Sequence, residues 1–192
     1  MNSIVPRALI ERHRDINVQD EWYSSIYEDF TMYMEERGVH VERIYFSGFS
    51  SQGDGACFDG HIEDWGKYLW SINVPDPTLA KAADKNWTFS WQHYGRYYHY
   101  NSVNFDDSGV YFPDSPWYTK GDEGDELRHS VWMANIQQHD LFGLCEDIKD
   151  NLKKHMQQLY RNLEEEYDYL TSDEEVSNSI IANDLLTEDE EN

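Results

Sequence analysis

The string with the most chemical promise runs from Phe46 to Gly60, where Gly53 and Gly55 bracket Asp54 and Gln52 stands just before them. Glycines on both sides of an acid let the backbone reach positive φ or approach a ligand closely, so Gln52 and Asp54 are candidates to hold a polar ligand or a cation. Asp-Gly is equally a tight-turn dipeptide, in which Asp54 would cap its own turn. The spacing departs from the EF-hand loop, and no Lys-Ser/Thr pair makes the string a phosphate loop.

A second string, Gly95-Arg96-Tyr97-Tyr98-His99-Tyr100-Asn101-Ser102, sets one imidazole among hydroxyl-bearing side chains on an expected strand. With an acid beside it His99 could act as a general base; without one, tyrosines and a histidine suit a half-buried sheet face. If two hairpins pair into one sheet, Asp54 or Asp59 falls near His99. Gln52, Asp54, Asp59, Arg96, Tyr98 and His99 then form a candidate polar patch. An anionic ligand would find few cations there, only Arg96 and Arg43.

Cys57 and His61 resemble a nucleophile and its base, but four residues along a strand separate them by about 13 Å at roughly 3.3 Å per residue. The eight histidines show no close helical pair beside a third ligand. No metal, cofactor or catalytic residue is expected.

Several elements must position these strings. Trp22, Ile26, Phe30 and Met34 recur every four residues, which predicts a helix over 20–37, stopped by Gly38. Val39 to Phe46 and Ala56 to Ile62 predict two arms of a hairpin, and 87–105 predicts a second one. Between them, Trp70, Ile72 and Val74 suggest extension, and Thr78 to Ala83 a turn or two of helix after Pro77. Residues 106–125 read as a long loop. From Leu141 to Leu170 apolar residues step by three or four for about thirty positions, predicting a helix of about 45 Å. Thr171-Ser172-Asp173-Glu174 reads as a capping box that starts a further helix to about Asn183, with Val176, Ile180 and Ile181 inward. The expected architecture is a single α+β domain over 1–186, in which an antiparallel sheet of two hairpins is packed by an N-terminal helix and a long C-terminal helix. Residues 187–192 would be an acidic tail.

The 192 residues carry 15 Lys or Arg against 38 Asp or Glu, a formal net charge of −23. Such a balance disfavours direct contact with nucleic-acid phosphates or anionic lipid. Twenty-nine aromatic residues imply that most of the chain folds, since acidic disordered segments are poor in them. Two unpaired cysteines and the lack of an early apolar stretch point to a reducing compartment. Residues 164–192 hold 12 acids and no base. Among them Glu164, Glu165, Glu166, Asp168, Asp173, Glu174 and Glu175 are the candidate partner-binding residues.

Three strings together, Ser51 to Gly60, Gly95 to His99, and Glu166-Tyr167-Asp168-Tyr169-Leu170-Thr171-Ser172-Asp173-Glu174-Glu175, resemble a family of small acidic proteins of bacteriophages and prophages, often labelled hypothetical or as an antitoxin. The resemblance extends from Trp22 to Glu188. It implies a setting, the cytoplasm of an infected bacterium, and an accessory role against host machinery, but no catalytic mechanism. The expected function is a binder that inhibits a host defence protein by occupying its basic, nucleic-acid-binding surface, with a homodimer compatible with that role. Two alternatives stand beside it: a nucleotide-binding protein or hydrolase built on the 50–55 loop and the Tyr/His string, and an antitoxin neutralising a toxin.

Overall fold

A computed structural model describes residues 5–111 and 141–186. In chain order the elements are α1 (Arg7–Arg12), α2 (Ser24–Glu35), β1 (Val39–Ser47), β2 (Gly55–Ile62), α3 (Trp65–Ser71), α4 (Pro77–Asn86), β3 (Ser90–His93), β4 (Val103–Asp106), α5 (Ser108–Tyr111), α6 (Leu141–Leu170) and α7 (Asp173–Ala182). The chain divides into two compact units, one of residues 29–160 and one of 1–28 with 161–192.

In the 29–160 unit the four strands form one antiparallel sheet in sequence order, β1-β2-β3-β4. Both hairpins expected from the alternating patterns therefore exist, and β2 pairs with β3 to join them. Glu42 is an extra residue in β1, between the pairs Val41 with Gly60 and Arg43 with Asp59. Gly38 enters the sheet with φ +78°, and a Cβ on it would stand 2.2 Å from the carbonyl oxygen of Asp64, so only glycine fits this joint.

Alternation then sorts the side chains. Ala56, Phe58 and Ile62 of β2 are buried, with Phe58 edge-on to Phe30 of α2 and to Trp91 of β3 at ring distances of 5.2 and 5.4 Å. Ile148, Leu152, Met156 and Leu159 of α6 are fully buried at three- and four-residue steps, one apolar stripe as the sequence predicts. Edge-to-face contacts link Trp65 to Trp87 and to Tyr68, whose hydroxyl donates to Asn151 at 3.2 Å.

The region read as partly extended is helical. Asp64 caps α3 by accepting from the Lys67 amide, and Trp65, Tyr68 and Leu69 form its buried face, a helical spacing that overrides the alternation of Trp70, Ile72 and Val74. Asp76 caps α4 in the same way, with Pro77 in its first turn. The segment 106–125 begins with the short α5, and its part beyond Tyr111 lies outside the described residues.

The other unit has its own core. Leu9 and Ile10 of α1, an element the sequence pattern does not announce, pack with Val176 and Ile180 of α7, and Val5, Ile16, Leu185 and Leu186 close around them. Ser172, one residue later than the expected cap, accepts from the Glu175 amide at 3.2 Å. Val176 and Ile180 are buried as expected, whereas Ile181, expected inward with them, follows Ile180 by about 100° around the helix and is 44% exposed. Asn17 donates to the Leu170 carbonyl at 2.9 Å, and Trp22 lies against Tyr167 with ring centroids 5.8 Å apart. No helix among the described residues is long and apolar enough to cross a membrane.

Candidate functional site

Two surfaces carry the residues singled out above. The first is the end of the sheet where the β1–β2 turn, residues 48–54, meets the β3–β4 connection, residues 94–102. Their approach depends on two glycines: a Cβ on Gly53 would fall 2.4 Å from the Tyr97 ring, and one on Gly55 would fall 2.7 Å from the Tyr98 carbonyl oxygen and 3.0 Å from the His99 Cα. The turn carrying Gln52 and Asp54 therefore lies against the Tyr97–His99 segment. That segment is a loop and not a strand. The β3–β4 ladder ends at the pair of His93 with Val103, Tyr94 donates to the Ser102 carbonyl at 2.9 Å, and Gly95 at φ +81° opens the bend.

Both acids of this patch hold the framework. The Asp54 carboxylate accepts from the Ser50 and Ser51 amides at 2.9 and 2.6 Å, so it caps its own turn. The Asp59 carboxylate accepts from the Tyr45 hydroxyl at 2.8 Å and from the His93 amide at 2.5 Å, standing in for a ladder carbonyl where β3 leaves β2. Donation to Asp59 holds the Tyr45 hydroxyl above its ordinary pKa. His93 donates from Nε2 to the Tyr97 carbonyl at 3.2 Å, and its ring packs on Tyr45 and Tyr98 at 4.8 and 5.0 Å.

His99 accepts at Nδ1 from the Asn101 amide at 3.1 Å, and burial lowers its pKa below the ordinary imidazole range. It forms no ion pair or hydrogen bond with a carboxylate among the described residues. Gln52 is exposed on the turn, and Arg96 lies over the Tyr97 ring at 4.8 Å while donating to its hydroxyl at 2.6 Å. Cys57 is fully buried opposite Tyr45, and burial, with Asp59 beside it, pushes its thiol up to about 12. A thiol held so high is no nucleophile at neutral pH. His61 instead faces His40 across the ladder, with ring centroids 5.0 Å apart. Among the described residues no group of three or more His, Cys, Asp or Glu is placed to hold a metal ion.

The second surface is acidic. The unit of residues 1–28 and 161–192 carries 17 acids against four bases. Glu165 and Asp168 are exposed and Glu164 and Glu166 half-buried on the last two turns of α6, and none of the four forms an ion pair among the described residues. Asp173, Glu174 and Glu175 open α7, where Asp173 takes the Arg14 guanidinium at 2.5 Å.

Tyr45 and His93 were not marked as site residues by the sequence. Their signal lies in the register, since Tyr45 meets Asp59 only diagonally across the ladder. A shallow groove of about 480 Å³ between α3 and α4 was not announced either; Leu69, Trp70, Val74, Pro77, Lys81 and Lys85 are among its walls, and Trp70 is 72% exposed.

With α-helices packed on an antiparallel sheet, the chain is an α+β protein. It belongs to the family described as Domain of unknown function (DUF8835), which matches residues 22–173. No curated protein and no solved structure matches the chain.

Proposed function

We propose that the chain is an acidic accessory protein that binds a partner protein and inhibits it by occupying the partner's basic, nucleic-acid-binding surface. The observation that carries this reading is the position of Glu164, Glu165, Glu166 and Asp168 in the last two turns of α6, which has no base in its final turn. A helix C-terminus is the negative end of the dipole, so Asp168 in the last turn opposes it, and Asp168 is also repelled by Glu164 at i,i+4 and by Glu165 at i,i+3. Asp173, Glu174 and Glu175 favour the start of α7, but the four acids of α6 bring its end no such benefit. Carboxylates kept against local stability are those a basic partner would use. At a rise of about 1.5 Å per residue the four charges fall within about 6 Å of helix axis, a linear charge density near that of duplex DNA at one charge per about 1.7 Å, so a surface built for phosphates could take this segment.

The setting that fits is a phage protein in the cytoplasm of an infected bacterium, acting on a nucleic-acid-handling defence complex. An antitoxin would use the same physics on a toxin. Engagement of Asp54 and Asp59 by framework donors favours binding over turnover in the first patch.

The test is capture from a bacterial lysate by the immobilised full chain, followed by mass spectrometry. Basic nucleic-acid-binding proteins, displaced by duplex DNA and lost with the variant Glu164→Gln, Glu165→Gln, Glu166→Gln, Asp168→Asn, are expected. Nucleotide turnover abolished by His99→Gln, with the four acids dispensable, would overturn the reading.

A further inference from the structure

The sheet-end loops have the make-up of a protein-binding surface. Residues 94–102 include four tyrosines among nine positions, with Gly95, Arg96, Asn101 and Ser102, while the facing turn is built from Gly48, Phe49, Ser50, Ser51, Gln52 and Gly53. Tyrosine offers a large contact area with few torsions to freeze, and glycine and serine let backbones adapt, which is the composition of antibody paratopes. Tyr and Arg are also enriched where binding energy concentrates. Here Tyr94 and Tyr97 are 59% and 48% exposed, on an otherwise acidic chain.

These side chains are held in place before any partner arrives. The Tyr97 ring seats on Gly53, the Arg96 guanidinium lies over that ring, and Tyr98 stacks on Tyr45 at 5.4 Å. Phe49 packs on Phe46 and Tyr160 at 5.0 and 5.5 Å, and the Tyr160 hydroxyl donates to the Gly48 carbonyl at 3.3 Å, fixing the turn to α6. Surfaces ordered in advance lose less entropy on binding.

Charge specifies the occupant. The two acids of the patch, Asp54 and Asp59, are engaged by three amides and one hydroxyl. Arg96 at one end of the aromatic strip, and Arg43, 6.0 Å from the Tyr45 ring at the other, are exposed and form no ion pair among the described residues. Accepting from neutral donors leaves both carboxylates charged, so the strip carries two charges of each sign on a chain of net charge −23; its acids have their acceptors engaged, whereas the two guanidiniums are open to carboxylates. We propose that the strip Arg43, Tyr45, Tyr98, Tyr97 and Arg96 is a second docking surface, which takes an acidic peptide segment of a protein partner.

This contact is chemically opposite to the acidic end of α6 and fails independently of it. A random peptide library displayed on phage is panned against the full chain, and the strongest enriched sequence is synthesised as the probe. Enriched sequences rich in Asp and Glu are expected, with affinity at least about tenfold weaker for the triple variant Arg43→Ser, Arg96→Ser, Tyr97→Ser. Gly53→Ala removes none of the proposed contacts but displaces the Tyr97 ring, and should weaken the same peptide. It also serves if the triple variant does not fold by circular dichroism. Neutralising the four acids of α6 should leave peptide affinity unchanged.

Basic, uncharged or absent enriched sequences, or an acidic peptide bound equally well by both variants, would overturn the proposal. So would displacement of the peptide by a mononucleotide, which would make the strip a phosphate site. Self-association lost in the triple variant would assign the strip to a second copy and overturn it likewise.

Discussion

Arg14 donates from Nη1 to the backbone carbonyl of Thr171 at 2.9 Å, and the same guanidinium holds Asp173, so a residue near the start of the chain closes the turn between α6 and α7. Hydrogen bonds to Asp173 and Glu11 raise its pKa further, which keeps it charged at any relevant pH. Arg14→Gln should lower the thermal midpoint by a few degrees and speed amide exchange in α7 while sparing β2. Exchange followed by mass spectrometry reads this directly, and unchanged protection in residues 173–182 would show that the bond is ornamental.

The cap of α7 gives a sharper comparison. Ser172 accepts from the Glu175 amide, whereas the Thr171 hydroxyl only donates back to the Tyr167 carbonyl at 2.8 Å. Removing a capping hydroxyl costs about 1 kcal/mol, and a back-bonded threonine much less. Ser172→Ala should therefore destabilise the chain in urea melts by about that amount and Thr171→Ala by clearly less, the reverse of what a cap at Thr171 would give.

That one-residue shift illustrates what is legible in such a chain. Period alone revealed β2, where Ala56, Phe58 and Ile62 alternate, and α6, where five buried residues from Ile148 to Leu163 share one stripe. The alternation of tyrosines at 97–101 has the same look, yet no ladder forms there, because Asp59 takes the His93 amide and Gly95 turns the chain away. Alternation states what a strand would bury, not whether a partner strand arrives. Nearness of Asp54 to Tyr97–His99 followed from pairing the two hairpins. The link of Tyr45 to Asp59 and His93 needed the register, which a sequence does not print.

His155 makes the fold sensitive to acid. Its ring stands edge-on to Tyr33 at 5.5 Å, and the Arg37 guanidinium lies over the same tyrosine ring at 3.4 Å. Burial first, and the Arg37 charge second, lower its pKa from 6.5 to about 4. The unfolded chain thus binds this proton before the folded one does, so stability is full above pH 6.5 and falls as pH drops from 6.5 towards 4, by at most about 3 kcal/mol. His155→Phe keeps the edge contact and removes the titration. Urea melts at pH 7 and pH 4.5 should show a smaller loss for the variant, and equal losses would mean that His155 does not sense acid.

The four acids at the end of α6 should separate stability from binding. Asp168 lies in the last turn, where the dipole is negative and no base stands, and it repels Glu164 at i,i+4 and Glu165 at i,i+3, so these contacts each oppose the helix by about 0.2–0.5 kcal/mol at low salt. Replacing the four acids with Gln and Asn should raise the thermal midpoint slightly, an effect that fades as the Debye length shrinks to about 8 Å near physiological ionic strength. The same variant should associate more slowly with the captured partner, and the parent's association rate should fall steeply with salt while its dissociation rate changes little, because charges at the rim of an interface act through steering. Stopped-flow or surface plasmon resonance at two salt concentrations measures both rates. A variant that is less stable yet binds normally would mean that the carboxylates serve the fold, and would remove the reason for assigning them to a partner.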